Sequence, residues 1–373
     1  MKTALPFELH PSACEQLKSL VNMNDDGELG TITFGTEALG YESISFNESL
    51  MRSEIQEMAA ASTRNAGWLP LFSDEEGDDR QFYTVMPGNI VKLMFCLQVK
   101  TVPADIRDAR VAKQIKAREK SVNDEARRQA EIDGVEFDEE SLWTVDKAEA
   151  QRIKENVVAD LIPTVFPKTT VIPVYLALKD GLALIGAGSP PNAEAALSSL
   201  RYCLNGLRVR TVDTNTPVGS VMTRMLGSFF RTDSSMTAEQ LERRPQPMDQ
   251  VTLVGPDSEN MSFKGYAVVD NQSVQEGLDS GNNVASIRAR FNHTVEATLH
   301  CKTFALKTVK YADKAMENLT DDLARHTDDE RLALLDQAAC LMLIVGAVQS
   351  LIKLCGGSVE WPERKTDEEK ISA

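Results

Sequence analysis

The spacing of apolar and polar positions divides the chain into short strands and longer helices. Thr31 to Phe34 is β-like, and Glu48 to Ala61 has helical spacing through Leu50, Ile55 and Met58. Gln81–Val85 and Asn89–Val99 predict two strands joined at Met86-Pro87-Gly88, the second rich in β-favouring residues and suited to the inside of a sheet. Pro103 opens a long helix whose apolar positions, Ile106, Val111 and Ile115, are sparse, so that helix buries little. A second helix over about Asp146–Leu161 returns from it and ends at Pro163. Thr169–Leu178 and Gly181–Ile185 predict a hairpin around Lys179-Asp180-Gly181.

Further along, Ala193–Leu204 is an amphipathic helix, Leu207–Val212 a strand and Pro217–Phe230 a helix. Asp233–Glu259 reads as a polar loop or linker, and Asn271–Ser280 as a short helix. Val284–Phe291 alternates, and Thr294–Lys310 gives further strands. From Asp313 the chain is helical and acidic to Arg331, and Leu332–Leu354 is a strongly apolar helix stopped at Gly356-Gly357. This pattern predicts an α+β fold with mixed or antiparallel sheets and long helices. Four regions follow: residues 1–102 with 162–215 as a central α+β domain, 103–161 as a helical hairpin, 216–312 as a second, tip-like α+β domain carrying a basic hairpin, and 313–373 as a C-terminal helical interface region. The tail Glu363–Ala373 is charged and reads as disordered.

Charge changes the picture. The chain carries 56 Asp and Glu against 40 Lys and Arg, a formal net charge of −16. Two stretches run the other way. Lys100–Arg128 holds nine basic and five acidic residues, and Val284–Ala312 holds five basic residues against Glu296 alone. Counterion release is local to the phosphates touched, so an acidic body with basic strips admits a polyanion at one surface and repels it elsewhere.

In the first strip, Arg110, Lys113, Lys116 or Lys120, and Arg127 fall along one broad helical face at three- and four-residue steps, with Arg128 beside them as a further candidate. A solvated helix with internal Glu–Lys pairs is the ordinary reading of such a run, and a row of phosphate contacts is the alternative. In the second strip, Arg288 and Arg290 point to one face of a strand while Ile287, Ala289 and Phe291 point to the other. Lys302, Lys307 and Lys310 follow nearby. Clustered cations on a sheet face repel one another, so either an anionic partner or acids from elsewhere in the chain must compensate.

Catalytic chemistry finds no motif. The six cysteines form no CxxC pair and read as reduced, buried thiols of a cytoplasmic protein. The four histidines, His10, His293, His300 and His326, are scattered and complete no metal set. Asp and Glu crowd loops and helix surfaces rather than standing on apolar strands, and Gly186–Pro190 lacks both the third glycine of a dinucleotide site and the lysine of a P-loop. The expectation is therefore a protein with no catalytic residue, metal or cofactor. No leader-like apolar run opens the chain, and the longest run, Ala338–Val348, is about eleven residues, short for a bilayer span. It reads as a core helix, an interface helix, or both.

The ordered pieces AGWLPLF (Ala66–Phe72), the run Met86–Glu119, the run Val157–Leu207, VASIRARF (Val284–Phe291) and AVQSLIKLCGG (Ala347–Gly357) resemble the RdgC family of recombination-associated DNA-binding proteins. The resemblance implies an elongated, curved subunit in a ring-shaped homodimer with a basic hole and an acidic outside. Duplex DNA would thread the ring with little sequence preference, obstructing a RecA-type recombinase at the nucleoid. It further implies that Phe166, Lys264 and Tyr266 lie at ring-closing interfaces, with Thr164 and Ala267 departing from the family pattern there. Leu341, Ile344, Val345, Val348, Leu351 and Ile352 are the expected positions of the apolar C-terminal helix at a dimer interface. An older family label, exonuclease, finds no support in the motifs. A third reading is an acidic module that binds a basic protein. Additional segments lie around Met23–Ser53, Gly134–Leu142 and Arg231–Glu259.

Overall fold

The structure is a computed structural model. It describes all residues except 22–45, 74–79, 137–141, 231–243, 256, 258, 266–267, 325–333 and 363–373. The expectations for Thr31–Phe34 and the tail fall outside the described residues. The chain forms two compact units: residues 1–54, 68–95 and 172–373, and residues 55–67 and 96–171. The expected helical hairpin lies in the smaller unit, and the regions 216–312 and 313–373 share the larger one with most of the central region.

The larger unit is built on an antiparallel sheet with strand order β11-β10-β12-β13-β14-β1-β8-β7-β6. These are β1 (Thr3–Leu9), β6 (Ile90–Val99), β7 (Lys168–Ala177), β8 (Leu182–Ile185), β10 (Gln246–Val254), β11 (Asn260–Lys264), β12 (Asn283–Phe291), β13 (Val295–His300) and β14 (Ala305–Tyr311). Three further strands join the sheet, β2 (Arg64–Leu69) and β5 (Tyr83–Met86) on β6 and β9 (Val209–Thr211) on β1, while β3 (Phe72–Ser73) and β4 (Arg80–Gln81) pair with each other. The expected hairpins are present: β5 meets β6 with Met86 opposite Ile90, and β7 meets β8 with Ala177 opposite Leu182.

One face of this sheet is covered by α6 (Val218–Phe230) and by the C-terminal helix α9 (Leu335–Leu354). Ile287, Ala289, Phe291, Ala297, Leu299 and Leu306 from the strands pack with Val221, Met225, Ile344, Val348 and Leu351 from the helices. Asn292 donates its side-chain amide to the Gly346 carbonyl of α9 at 3.0 Å, tying the β12–β13 turn to the helix. α7 (Gln272–Asp279) begins at Asn271, whose side chain accepts from the amides of Ser273 and Val274. α8 (Asp313–Ala324) precedes α9.

By length and composition, α9, at 20 residues, could cross a membrane, more than its central apolar run suggests, yet half of it is buried within the protein. Leu341, Ile344, Val345, Val348 and Leu351 are 5% exposed or less. They therefore fill the core of one subunit and offer no surface to a second. Of the six expected interface positions only Ile352 keeps partial exposure.

Two other expectations are corrected. The helix expected over Glu48–Ala61 is only α2, Phe46–Met51. It ends because the Ser53 carbonyl accepts from the Trp68 amide at 2.9 Å and Glu54 pairs with Arg80 at 2.6 Å, contacts that a continuing helix would forfeit. The supposed linker over Asp233–Glu259 contains β10, an inner strand. Register shifts between Pro247 and Val251, and again before Leu253, break its period of two and hide it from the pattern.

The smaller unit centres on α3 (Ala104–Asp133) and α4 (Lys147–Leu161). Pro103 is the N-cap of α3, and Gly134 closes it in the left-handed region at φ 68. No residue of α3 is buried. α3 is held by a small apolar seam with Val157, Leu161, Val111 and Ile153, and by polar clamps. Asn123 donates to the Trp143 carbonyl at 3.1 Å and accepts from its amide at 2.9 Å. Arg118 pairs with Glu149 at 3.0 Å and lies over the Trp143 ring.

If α9 is a core helix, Ile344→Ala should destabilise the protein by about 2–5 kcal/mol through the cavity it leaves. Urea unfolding at widely separated protein concentrations checks this. A loss that grows on dilution would return α9 to an interface role.

Candidate nucleic-acid interface

The side of β10–β14 opposite the core is where the second basic strip emerges. Pairing across the strands sets its rows. Arg290 stands opposite Glu296, which stands opposite Lys310. Arg288 stands opposite Thr298, which stands opposite Lys307, which in turn faces Thr3 of β1. Ser286 stands opposite His300. Residues directly opposite in an antiparallel pair share a face, so these rows form one polar surface. The alternation expected for Arg288 and Arg290 against Ile287, Ala289 and Phe291 is present.

Lys307 and Lys310 are three positions apart, and a regular strand would send them to opposite faces. A shift in pairing between Glu296 and Thr298 brings both to the same one. Thr308 absorbs the extra residue at φ 52, an unusual conformation for a β-branched side chain, of the kind that costs about 1–3 kcal/mol. Its hydroxyl is held at 2.7 Å from the Lys307 carbonyl and 3.1 Å from the Thr298 hydroxyl. The bulge escaped the sequence reading; the odd spacing of two lysines within one alternating strand was its only trace.

Lys264 joins the same face from the outermost strand, opposite Gln250. Sequence reasoning assigned Lys264 to an interface loop and did not connect it with Arg288. Tyr266 and Ala267 lie outside the described residues. Lys302 is exposed in the turn between β13 and β14.

Among the described residues two carboxylates share this face. Glu296 accepts from Arg290 at 2.5 and 3.1 Å. Asp249, delivered by the irregular part of β10, approaches Arg288 at 3.5 Å. That pair is incomplete: the Arg288 Nε and the Asp249 Oδ1 are buried and make no hydrogen bond. Lys264, Lys307 and Lys310 form no ion pair among the described residues. Five cations thus face two acids.

On α3, Arg110, Lys113, Lys116, Lys120, Arg127 and Arg128 are all exposed. The side of α3 bearing Val111, Arg118 and Asn123 meets α4 and its approach, and the basic row points away from it. Arg127 lies 3.7 Å from Asp124 and Arg128 3.9 Å from Glu125, the pairs an ordinary solvated helix would have. Arg110, Lys113, Lys116 and Lys120 have no ion pair among the described residues. Phe166 is 93% exposed in the turn between Pro163 and β7. Thr164 turns its hydroxyl back to the Leu161 carbonyl at 2.7 Å.

Among the described residues no three of His, Cys, Asp and Glu gather as a metal site would require. The cysteines form no disulfide, and burial pushes the Cys301 thiol up to about 12 and that of Cys355 to about 11. His300 is held below its ordinary value, first by burial and then by Lys307.

The α+β chain with an antiparallel sheet and a cationic face has relatives among recombination-associated proteins. The family model described as "Putative exonuclease, RdgC" matches residues 34–355. The chain belongs to the RdgC family. It is similar to the recombination-associated protein RdgC of Actinobacillus pleuropneumoniae serotype 3, at 22% identity over 81% of this chain and 90% of that protein. It is also similar to the proteins of that name from Pseudomonas fluorescens Pf0-1, at 24% over 60% and 69%, and Pseudomonas syringae pv. syringae B728a, at 24% over 56% and 64%.

Because Lys307 holds down the His300 pKa, Lys307→Met should raise it, leaving the part that burial imposes. Neutral His300 favours the folded state, so that contribution to stability is present above the ordinary histidine pKa and is lost as pH falls through the lowered one. NMR titration of the imidazole in parent and variant checks the direction. An unchanged value would mean that the two groups do not interact.

Proposed function

We propose that this protein binds duplex DNA with little sequence preference through the face of β10–β14 and the outer row of α3. It acts as a homodimer that closes into a ring around DNA at the nucleoid, and it restrains a RecA-type recombinase by occupying the substrate. No bond is made or broken in this mechanism. The observation that carries the reading is the bulge at Thr308, which spends backbone strain to align Lys307 and Lys310 with Arg288 and Arg290. Cations brought together repel one another, and Asp249 and Glu296 offset only part of that repulsion, which favours a polyanionic partner. The family's association with recombination agrees with that partner. α3 carries Gln114, Asn123 and Gln129 beside its arginines, but Asn123 is held by the Trp143 backbone and Gln129 by Asp133, which favours phosphate contact over sequence readout.

The test is titration of unrelated duplexes at several salt concentrations. The parent should show a steep salt dependence and little preference among sequences. The triple variant Arg288→Ala/Lys307→Ala/Lys310→Ala should reduce the salt slope by about two to three units, close to one per lost phosphate contact. Unchanged binding by a folded triple variant would remove this face from the proposal. A preference of more than about a hundredfold for one sequence would remove phosphate recognition as the main mechanism.

The family description supplies a second reading, an exonuclease. End-labelled duplex incubated with the protein and magnesium or manganese separates the two. The first reading expects intact ends. Degradation abolished by changing one Asp or Glu would put the exonuclease first.

Ring closure is tested at Phe166. An aromatic side chain this exposed, between Pro163 and Pro167, suits an anchor in a partner surface, where truncation can cost about 2 kcal/mol or more. Phe166→Ala should still bind linear DNA yet leave closed circles faster than the parent. Equal retention on circles, or a monomeric parent at micromolar concentration, counts against the ring.

A further inference from the structure

We infer that Asp249 and Glu296 are built-in competitors for the cationic face, holding Arg288 and Arg290 in the free protein until a phosphate displaces them. The inference rests on the DNA-binding reading above and concerns how that face is regulated. Neither carboxylate is a stray surface charge. Glu296 stands in register between Arg290 and Lys310, opposite one on each side. It accepts from two nitrogens of the same guanidinium, as a phosphate oxygen would. Asp249 reaches Arg288 because β10 departs from regular pairing between Pro247 and Val251, so an irregular strand brings an acid to a position facing an arginine.

The two pairs differ in completeness. At 3.5 Å the Arg288–Asp249 contact attracts without forming a good hydrogen bond. The Arg288 Nε and the Asp249 Oδ1 are shielded from solvent and make no hydrogen bond. An unmet donor and acceptor in such a place are costly, so this pair is a poor end state for both groups. A phosphate, with several acceptor oxygens, can engage Nε and a terminal nitrogen of Arg288 together. Displaced Asp249 is half exposed and can turn to water. The Arg290–Glu296 pair is better made and holds its arginine more firmly.

Three consequences follow from this geometry. In the free protein the carboxylates relieve repulsion among the clustered cations. During binding they compete with phosphate, lowering affinity. During release they recapture the arginines and so speed dissociation. A protein that must cover DNA and yet come off again gains from such competition, because affinity drawn from many cations alone would make release slow.

The experiment compares the parent with Asp249→Asn, Glu296→Gln and the double variant, which keep the side-chain shapes and remove the charges. The triple variant Arg288→Ala/Lys307→Ala/Lys310→Ala serves as the control. A duplex of arbitrary sequence is titrated across a salt series, and dissociation is timed against excess competitor. Each single change should tighten binding by about three- to tenfold near physiological salt and steepen the salt slope by about one unit. Dissociation should slow by a similar factor. Purely structural ion pairs would lower the melting temperature of the variants and leave binding unchanged or weaker. That result, with the triple variant losing affinity, overturns this inference while the DNA-binding reading stands. If the triple variant binds DNA as the parent does, the reading itself fails and the inference with it. Circular dichroism and thermal melting confirm that each variant is folded, and Asp249→Ser repeats the test if the amide at that position disturbs β10.

Discussion

The apolar side of β12, β13 and β14 is committed to α6 and α9. Ile287, Phe291, Leu299 and Leu306 are buried there together with Ile344, Val348 and Leu351. A strand has only two faces, so covering one decides what the other can carry. Once these side chains are in the core, Arg288, Arg290 and Glu296 have to stand on the opposite surface. A slip of one residue in register would bury two arginines and expose a phenylalanine. The energy that fixes the cationic face is therefore hydrophobic, although the face itself is electrostatic.

Within that constraint two departures from regular pairing shape the same surface. The bulge at Thr308 turns Lys307 and Lys310 to one side. The irregular pairing of β10 brings Asp249 to Arg288. Bulges commonly re-aim side chains near functional sites. Here one of them adds positive charge to the face and the other supplies a counter-charge.

The helical hairpin follows a different logic. α3 buries no residue and relies on a thin apolar seam, on the Asn123–Trp143 clamp and on the Arg118–Glu149 pair. Such an element has low local stability but keeps its charged row free of packing demands. α9 is the opposite case. Its composition is so apolar that sequence alone could not choose between core and interface, and the choice was made by the amount of sheet available to cover it. The sheet takes up Leu341, Ile344, Val345, Val348 and Leu351, leaving little for a partner.

Local patterning was enough to identify most elements. Pro103 and Gly134 mark the ends of α3, Asp146 the start of α4, and the alternation in SIRARF the two faces of β12. These signals lie within one or two turns of chain, where propensity and capping act. What the sequence left undecided depends on contacts between distant segments. α2 stops early because Trp68 and Arg80 claim Ser53 and Glu54. β10 is a strand because β11 and β12 lie on either side of it, although its own pattern is broken. Lys264, Asp249, Arg288 and Lys307 lie on four separate strands and are brought to one face by strand order together with the irregularities of β10 and β14. The sequence by itself determined which residues are charged and, where an element keeps its regular period, which face they occupy. Only the tertiary structure decided which charges meet, because register and bulges are fixed by the pairing of strands and the filling of a shared core.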